Sequence, residues 1–259
     1  MIDRMEVLFL GTGTSHGVPM IGCTCPVCRS DDPKDNRLRP SIYLVDDDGT
    51  SVLVDTTPDL RQQCLRAGIT RVDAVVYTHA HADHILGFDE LRRFNILSRR
   101  AVPVYGDRAT LGALQRTFAY AFDTSAPAGG GVPDAELMAI DGPFSVGTLR
   151  FQPLTVMHGD RPVLAFRIGR FAYLTDCNQV PESTLAALDG LDVLVLDALR
   201  HRAHPTHFSL QQAVAVARRI GARRTWFTHM CHDLGHAATN AVLPETMALA
   251  YDGLRVSCR

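Results

Sequence analysis

The sequence predicts a layered α/β fold with β-sheets in the interior and helices on the outside. Two observations lead to this prediction. Short apolar runs rich in β-branched residues recur along the chain and end at turn residues, which is typical of strands. Fewer segments have helical periodicity, and they lie among the strands in both halves of the chain. No repeat or low-complexity tract divides the 259 residues, so we predict one domain spanning 1–259.

The individual elements follow from these patterns. The predicted strands, in chain order, are Glu6–Leu10, Ser41–Val45, Ser51–Val54, Ala74–Tyr77, Leu149–Phe151, Val163–Ile168, Phe171–Leu174, Val193–Leu196 and Thr225–Phe227. The predicted helices are Pro58–Ala67, Asp83–Leu97, Ala109–Ala121, Pro181–Leu188, Ser209–Ile220 and Pro244–Tyr251. Ser209 is a favourable N-cap, and Gly221 follows the last turn of the same helix. Asp46–Gly49 is predicted to be a hairpin turn, and Ala126–Pro133 a flexible loop.

Composition and charge exclude several classes of protein. The net charge is −2, so the chain lacks the overall basic character that binding to nucleic acid or to an anionic membrane would favour. The apolar run Val7–Leu10 is too short for a secretory signal. No stretch approaches the ~20 apolar residues of a membrane span. We therefore expect a cytoplasmic protein with neither a membrane nor a nucleic acid as its partner.

The densest group of candidate metal ligands follows the predicted strand Ala74–Tyr77. It comprises His79, His81, Asp83 and His84. Imidazole nitrogens and carboxylate oxygens suit zinc, manganese or iron(II). His79 and His81 share one side of an extended backbone, whereas Asp83 and His84 come where the chain should turn into a helix. One loop can therefore offer two ligands to each of two neighbouring ions.

Three further candidate ligands stand directly after predicted strands. His158, Asp176 and His229 each follow an apolar run. Strand ends are rigid, and a precise metal site is best built on rigid elements. Each of these residues alone is more often an ordinary hydrogen-bonding residue. Together with the run at 79–84 they predict a two-metal centre.

A cysteine cluster near the N-terminus predicts a separate metal site. A cytoplasmic chain with seven cysteines needs a reason for them other than disulfide bonds. Cys23, Cys25 and Cys28 have the spacing C-x-C-x₂-C, and Gly22 and Pro26 bend the loop that carries them. Three thiolates and one imidazole would close a tetrahedral structural zinc site. Unliganded, reduced thiols are the alternative.

With these motifs, the chain resembles the metallo-β-lactamase superfamily over nearly its whole length. The similarity begins at Gly11–Ser15 (GTGTS) and ends at Thr228–Asp233 (THMCHD). It implies a four-layer αββα sandwich, the metallo-β-lactamase fold. Within the superfamily the chain is similar to the phosphodiesterase of the carbon–phosphorus lyase pathway, which opens phosphoribosyl 1,2-cyclic phosphate. The marks of that branch are GTGTS followed by GCTCPVC, Asp197 with HPTHFS at 204–209, and THMCHD.

The resemblance assigns a role to each candidate ligand. One ion would be bound by His79, His81 and His158, and the other by Asp83, His84 and His229, with Asp176 as the bridging carboxylate. Manganese or zinc is implied for these two ions, and the spacing does not choose between them. The structural zinc would take its fourth ligand from His232, with the neighbouring Cys231 as the alternative.

Residues around the ions also receive roles from the resemblance. Asp55 is expected to orient the histidine loop without binding a metal, and Asp197 is expected to act similarly. His207 matches the catalytic histidine of the family and is expected to be a general acid or a phosphate contact. Asp83 is expected to be catalytic in addition to binding a metal.

The implied function is hydrolysis of a small phosphodiester, cyclic ribose phosphates included. Two cations about 3.5–4 Å apart lower the pKa of a bridging water towards ~7, and the hydroxide attacks phosphorus. The expected partner is the small-molecule substrate, and a homodimer is compatible with the sequence.

Other activities on the same fold remain alternatives. They are an RNA-processing endonuclease and a thioester or lactam hydrolase, because a fold does not decide the chemistry. A non-catalytic metal-binding protein belongs to a different class. It would hold one ion per chain, whereas the enzyme would hold about three, two catalytic and one structural.

Overall fold

Strands and helices alternate along the part of the chain that the computed structural model describes, residues 5–123 and 131–258. The strands are β1 Met5–Gly11, β2 Ser41–Val45, β3 Ser51–Val54, β4 Ala74–Val76, β5 Val102–Gly106, β6 Ala135–Ala139, β7 Phe144–Val146, β8 Leu149–His158, β9 Arg161–Ile168, β10 Phe171–Leu174, β11 Val193–Asp197, β12 Arg224–Thr228, β13 Met247–Leu249 and β14 Arg255–Cys258. The helices are α1 Leu60–Ala67, α2 Ala82–Ile85, α3 Leu91–Ser98, α4 Arg108–Thr117, α5 Ala119–Phe122, α6 Glu182–Ala186, α7 Leu210–Ile220 and α8 His236–Asn240, with 3₁₀ turns at Pro33–Asp35 and Phe88–Glu90.

The strands form two mixed sheets of seven strands each. The first has the order β14-β1-β2-β3-β4-β5-β6 and the second β13-β12-β11-β10-β9-β8-β7. In each sheet, antiparallel pairs occupy one side and three parallel pairs the other: β3 to β6 in the first sheet and β10 to β13 in the second. The carboxyl ends of neighbouring parallel strands meet at one edge of a sheet, which is where ligands bind in open α/β sheets.

Three apolar cores separate four layers. The central core lies between the sheets, where Phe9 and Val54 of the first sheet belong to the same buried cluster as Phe166 and Tyr173 of the second. A second core buries α1, α3 and α4 against the outer face of the first sheet. A third buries α7 against the outer face of the second sheet. The predicted αββα sandwich is therefore confirmed.

Local signals in the sequence account for several of these elements. The hairpin turn at Asp46–Gly49 is confirmed, because Gly49 has φ 82° and the Asp46 amide donates to the Thr50 carbonyl. Helix α7 begins at a capping box in which the Ser209 hydroxyl and the Gln212 side chain each satisfy a backbone amide of the other residue. The helix ends at Gly221, which has φ 72°.

Three predicted helices are wrong, and the first of them, Ala109–Ala121, divides at the non-helical Phe118 into α4 and α5. The segment Asp83–Leu97 is not one helix, since it divides into α2, a 3₁₀ turn and α3. The break is at Gly87, whose amide donates to the Thr56 carbonyl, and a Cβ there would lie 2.1 Å from the Thr57 oxygen. The segment Pro244–Tyr251 contains strand β13, which pairs in parallel with β12 and covers that edge of the second sheet. Tertiary pairing overrides the local helical pattern there.

Five strands were not predicted: β5, β6, β7, β13 and β14. The predicted loop Ala126–Pro133 falls mainly at 126–130, outside the described residues. No helix within the described ranges combines the length and the apolar character that crossing a bilayer requires.

Candidate active site

The first of two neighbouring ligand clusters gathers residues from both sheets. His79 follows β4, His81 precedes α2, His158 ends β8 and Asp176 follows β10. Each offers one ligand atom, and these four atoms lie within 4.8 Å of one another. The sequence predicted that the three histidines would share an ion with Asp176, and the structure brings them together in that combination.

The second cluster shares Asp176 with the first. Its members are Asp83, His84, Asp176 and His229, again with ligand atoms within 4.8 Å. Asp176 Oδ1 lies 3.3 Å from His84 Nε2, and its Oδ2 lies 3.2 Å from His229 Nε2 and 3.7 Å from His79 Nε2. One carboxylate thus faces both histidine groups, which is the position that a bridging ligand requires.

These distances suit a metal ion better than direct hydrogen bonds. Two ligand atoms that are each about 2.1 Å from one ion stand roughly 3–3.5 Å apart. His84 Nε2 and His229 Nε2 lie 3.4 Å and 3.5 Å from Asp83 Oδ2. The Nε2 atoms of His79 and His84 are also buried and find no hydrogen-bond partner among the described residues. Because orphaned buried polar atoms are costly, the residues present fit a pair of divalent ions.

Hydrogen bonds fix which nitrogen of each histidine is free. The Thr78 hydroxyl donates to Asp55 Oδ2 at 2.8 Å, so it accepts from His79 Nδ1 at 3.0 Å. His84 Nδ1 donates to Asp55 Oδ2 at 2.8 Å. His158 Nδ1 donates to the Thr206 carbonyl at 2.9 Å. All three rings therefore keep Nε2 available for a metal, as ligating histidines commonly do.

Asp55 carries much of this support. It is fully buried after β3, and its Oδ1 also accepts from the Thr78 amide at 2.8 Å. The sequence predicted that Asp55 would orient the histidine loop, and its contacts run to that loop. The supporting roles of Thr78 and Thr206 were missed, since threonine and a loop carbonyl give no signal in the sequence.

Backbone strain is concentrated at the same place. Among the described residues four non-glycine residues have positive φ, and three of them are at the site: Asp55 at 65°, Asp176 at 51° and His229 at 59°. Asp55 and His229 directly follow β3 and β12, and Asp176 lies two residues after the end of β10. Such conformations cost about 1–3 kcal/mol each and persist where the surrounding structure enforces them. The strain turns these side chains sharply from strand ends into the centre.

The carboxylates make the centre attractive to cations. Burial raises the pKa of Asp83, but His84 and His229 outweigh it and hold that pKa well below its usual range. Burial lowers the pKa of His229, but the neighbouring carboxylates of Asp176 and Asp83 raise it to about 9. In the metal-free protein the carboxylates are thus ionised and partly neutralised by protonated imidazoles, whose protons a bound metal would displace.

His207 lies beside both clusters. Its Nδ1 donates to Asp197 Oδ2 at 2.6 Å, and that oxygen also accepts from the Cys177 amide at 3.0 Å. The His207 ring stacks on the His229 ring, with centroids 4.6 Å apart and an interplanar angle of 12°. Asp197 was expected to support the histidine loop, but its carboxylate instead fixes the ring of His207.

A third cluster lies where the N-terminal loop meets the C-terminal one. His232 Nδ1 is 3.1 Å from Cys23 Sγ, 3.5 Å from Cys25 Sγ and 3.4 Å from Cys28 Sγ. These four residues form a group with metal-ligand spacing. The neighbouring Cys231 is outside the group, and its sulfur accepts from the Asp233 amide instead. The geometry therefore favours His232 over Cys231 as the fourth member.

A pocket of about 270 Å³ opens between the two metal-ligand regions. Polar and cationic side chains line most of it, among them Ser15, His16, Arg200, Arg202, His204 and His207. Arg200 is committed to the shape of the loop, because it donates to the carbonyls of Arg202 and Ala203. The side chain of Arg202 is 80% exposed and lies 3.9 Å from Asp233.

Comparison with known proteins assigns the family. The model of the beta-lactamase superfamily domain matches residues 50–230, which contain all seven ligands of the two shared clusters. The chain belongs to the beta-lactamase superfamily. A crystal structure of a diphosphatase from the PhnP family is 44% identical to this superfamily member, with a TM-score of 0.92, covering 98% of this chain and 97% of that one.

Two further similar proteins differ from this chain in sequence identity and in length. Zn²⁺-bound PqqB from Methylobacterium extorquens is 22% identical with a TM-score of 0.77, covering 97% of this chain and 99% of that one, and shares the fold. An octanoyltransferase from Porphyromonas gingivalis is 37% identical over 254 residues, which is 96% of this chain. The chain spans 51% of the length of that octanoyltransferase, about half of it.

Proposed function

We propose that this superfamily member is a metal-dependent phosphodiesterase that hydrolyses a small phosphodiester, cyclic ribose phosphates included. The observation that carries the proposal is the pair of ligand clusters that share Asp176, with His207 beside them. The similarity to a diphosphatase supports chemistry at phosphorus. The expected residents are two divalent ions, manganese or zinc.

Each part of the centre has a task in this reaction. The ions, when bound, would supply an activated water and positive charge beside the phosphoryl oxygens. Their ligands would be His79, His81, Asp83, His84, His158, Asp176 and His229. Asp55 holds Thr78 and His84 in place, so the ligands need little reorganisation on binding. The burial of nearly all these side chains restricts the access of bulk water.

His207 is proposed to protonate the leaving oxygen. Asp197 accepts from its Nδ1, which leaves Nε2 as the nitrogen that can meet a substrate. Asp197 is fully buried and its Oδ2 also holds the Cys177 amide, so the orientation of His207 is fixed from behind. The arrangement matches a carboxylate-oriented histidine that acts as a general acid.

The pocket favours a small anionic substrate over the alternatives. A volume of about 270 Å³ accommodates a sugar phosphate, and its cationic lining suits phosphate oxygens. The only large apolar side chains in the lining are Met20 and Leu199. An octanoyl chain would have little apolar surface to bury there. A small phosphodiester is therefore a better fit than a long acyl thioester.

Turnover of bis(p-nitrophenyl) phosphate by protein reloaded with Mn²⁺ or Zn²⁺ tests the proposal, followed by cyclic ribose phosphates. Metal-dependent hydrolysis of both, removed by a chelator, is the expected result. An octanoyl thioester and a lactam serve as parallel substrates. Faster hydrolysis of either of these would overturn the phosphodiesterase proposal while leaving the metal centre in place.

Replacing Arg202 by alanine is expected to raise KM for a cyclic ribose phosphate about tenfold, with kcat nearly unchanged. The side chain is exposed at the pocket and belongs to none of the ligand clusters, so its loss should remove charge attraction common to substrate and transition state. Arg108→Ala is the matched control, because Arg108 is also exposed but pairs with Asp141 on another surface. Steady-state kinetics decide, and an unchanged KM would contradict the role of Arg202.

We also propose that Cys23, Cys25, Cys28 and His232 hold a structural zinc ion. The site would join segments 200 residues apart, since His232 and the cysteines come from opposite ends of the chain. Closing so long a loop restricts the unfolded chain strongly. Three thiolates and one imidazole at these separations are the usual donors for structural zinc.

Cys25→Ser is expected to remove one zinc per chain and to lower the melting temperature by roughly 5–10 °C. A decrease of a few kcal/mol in the free energy of unfolding has an effect of this size in a domain of this length. Cys231→Ser is the matched control, because Cys231 is adjacent to His232 but outside the cluster. Zinc analysis and thermal unfolding measure both variants. Retained zinc in Cys25→Ser, or its loss in Cys231→Ser, would refute the assignment.

A further inference from the structure

We infer that Arg37 is a positioning residue for the metal centre, because its guanidinium fixes the loop 229–236 that carries His229 and His232. The inference rests on the metal centre proposed above and is independent of the substrate. Arg37 Nη1 donates to the Cys231 carbonyl at 2.9 Å, and Nη2 donates to the Leu234 carbonyl at 2.5 Å. One planar fork therefore holds two points of the loop.

Asp35 extends this attachment to a third point. Its Oδ1 accepts from Arg37 Nη2 at 3.3 Å and from the His236 amide at 2.7 Å. The loop is thus held at Cys231, Leu234 and His236 by two side chains from the N-terminal part of the chain. A guanidinium suits these two carbonyls and the carboxylate, because its donors form a rigid planar fork, whereas those of an ammonium lie on one compact, rotating group.

The burial of Arg37 indicates that this contact has a specific task. Arg37 is 1% exposed, and its Nε has no hydrogen-bond partner among the described residues. A buried charge is costly to desolvate even with the Asp35 carboxylate beside it, and replacing a whole buried ion pair by well-packed apolar side chains is often neutral or stabilising. The pair of Arg37 and Asp35 is therefore weak evidence for a purely stabilising role, whereas both of its side chains fix the loop.

Arg37 is itself held in a rigid surrounding. Its amide and carbonyl pair with the carbonyl and amide of Val18 at 2.7 Å and 2.8 Å. Gly13 packs against it so closely that a Cβ at Gly13 would lie 2.8 Å from the Arg37 oxygen. The strand-like contacts of Thr12 and Thr14 with Met230 anchor the residue directly after His229. Because the backbone of Arg37 is fixed in this way, its guanidinium holds the loop 229–236 in a defined position.

The two ligand clusters should depend on Arg37 to different degrees. His229 belongs to the cluster of Asp83 and His84, and it is the ligand next to the held loop. The cluster of His79, His81 and His158 takes no ligand from 229–236. Loosening the loop should therefore lower the binding affinity for one active-site ion much more than for the other. A general loss of stability would not produce this asymmetry.

Titration of metal-free full-length protein with Co²⁺ tests the inference without reference to turnover. The thiolate charge-transfer absorption reports the ion at the cysteine cluster, and the visible absorption that remains reports the two active-site ions. In Arg37→Met the affinity for one of the two active-site ions is expected to fall about 10- to 100-fold, as on loss of a residue that supports a ligand, with the other unchanged. Amide hydrogen exchange at 230–236 should rise. Arg66→Met is the control, because Arg66 also holds a carbonyl and a carboxylate but does not contact the loop.

Arg37→Lys and Asp35→Asn keep the inference testable if Arg37→Met fails to fold. Lysine keeps the positive charge but lacks the planar fork. The affinity of the Arg37→Lys protein for the active-site ion that Arg37→Met binds more weakly should therefore lie between the affinities of wild type and Arg37→Met. Wild-type affinity for both ions in every variant, even with a lower melting temperature, would overturn the role of Arg37. Wild-type protein that binds a single active-site ion would instead refute the metal centre itself.

Discussion

Asp176→Ala is expected to lower phosphodiester turnover by about 10³-fold or more and to lower the affinity for both active-site ions. No other carboxylate belongs to both ligand clusters. Its oxygens lie 3.2–3.7 Å from the Nε2 atoms of His229, His84 and His79, so removing it takes away the negative charge that all three share. The remaining ligands would repel each other more when protonated and hold each ion less firmly.

The measurement is the metal content after dialysis, together with kcat at saturating Mn²⁺ or Zn²⁺. Asp176→Asn keeps the size of the side chain and loses the charge, so it should resemble alanine in metal loss but retain the fold. Asp73→Asn is the matched control, because Asp73 accepts from the Ser51 hydroxyl as Asp176 accepts from the Thr175 hydroxyl, but Asp73 belongs to neither cluster. Two ions bound to Asp176→Ala as tightly as to wild type would exclude a bridging role.

The ligands could be predicted because the donor residues lie at or shortly after the ends of apolar strands. His229 directly follows β12, His158 ends β8, and Asp176 and His79 lie two and three residues beyond β10 and β4. The parallel strands β4, β10 and β12 bring their carboxyl ends to one edge of each sheet, and His158 joins the same cluster from the end of the antiparallel strand β8. The sequence pattern therefore contains both the type of donor and its approximate place, and the four-layer fold follows from the same alternation of strands and helices.

The supporting contacts could not be predicted, because they are made between residues far apart in the chain by groups that every protein contains. Thr206 supports His158 through its carbonyl, which no sequence pattern marks. Arg37 is one of many arginines, and only the packing of Gly13 and the loop 229–236 against it shows that it is buried. The break at Gly87 arises in the same way, from close contact with Thr57.

Replacing His207 by alanine is expected to reduce kcat in a way that depends on the leaving group. For a cyclic ribose phosphate, whose leaving oxygen is an alkoxide, kcat should fall about 10²- to 10⁴-fold, the usual contribution of a general acid. For bis(p-nitrophenyl) phosphate the loss should be under about tenfold, because p-nitrophenolate leaves without a proton. Asp197→Asn should produce a smaller loss with the same dependence, since it disturbs the orientation of His207 but keeps the ring.

Metal content separates this role from a role as a ligand. His207 stacks on His229 and groups with Asp197 and His229 within metal-ligand distance, so its removal could also disturb an ion. His201→Ala serves as the control, because His201 is an exposed histidine in the loop between β11 and α7, the loop that also carries His207. Equal losses with both substrates and an intact metal content would indicate that His207 binds phosphate and is not the acid. Loss of an ion would make it a ligand. Proton donation is supported only if kcat falls more for the cyclic ribose phosphate than for bis(p-nitrophenyl) phosphate while both ions are retained. We expect this outcome because Asp197 orients Nδ1 of His207 and leaves Nε2 to meet the substrate.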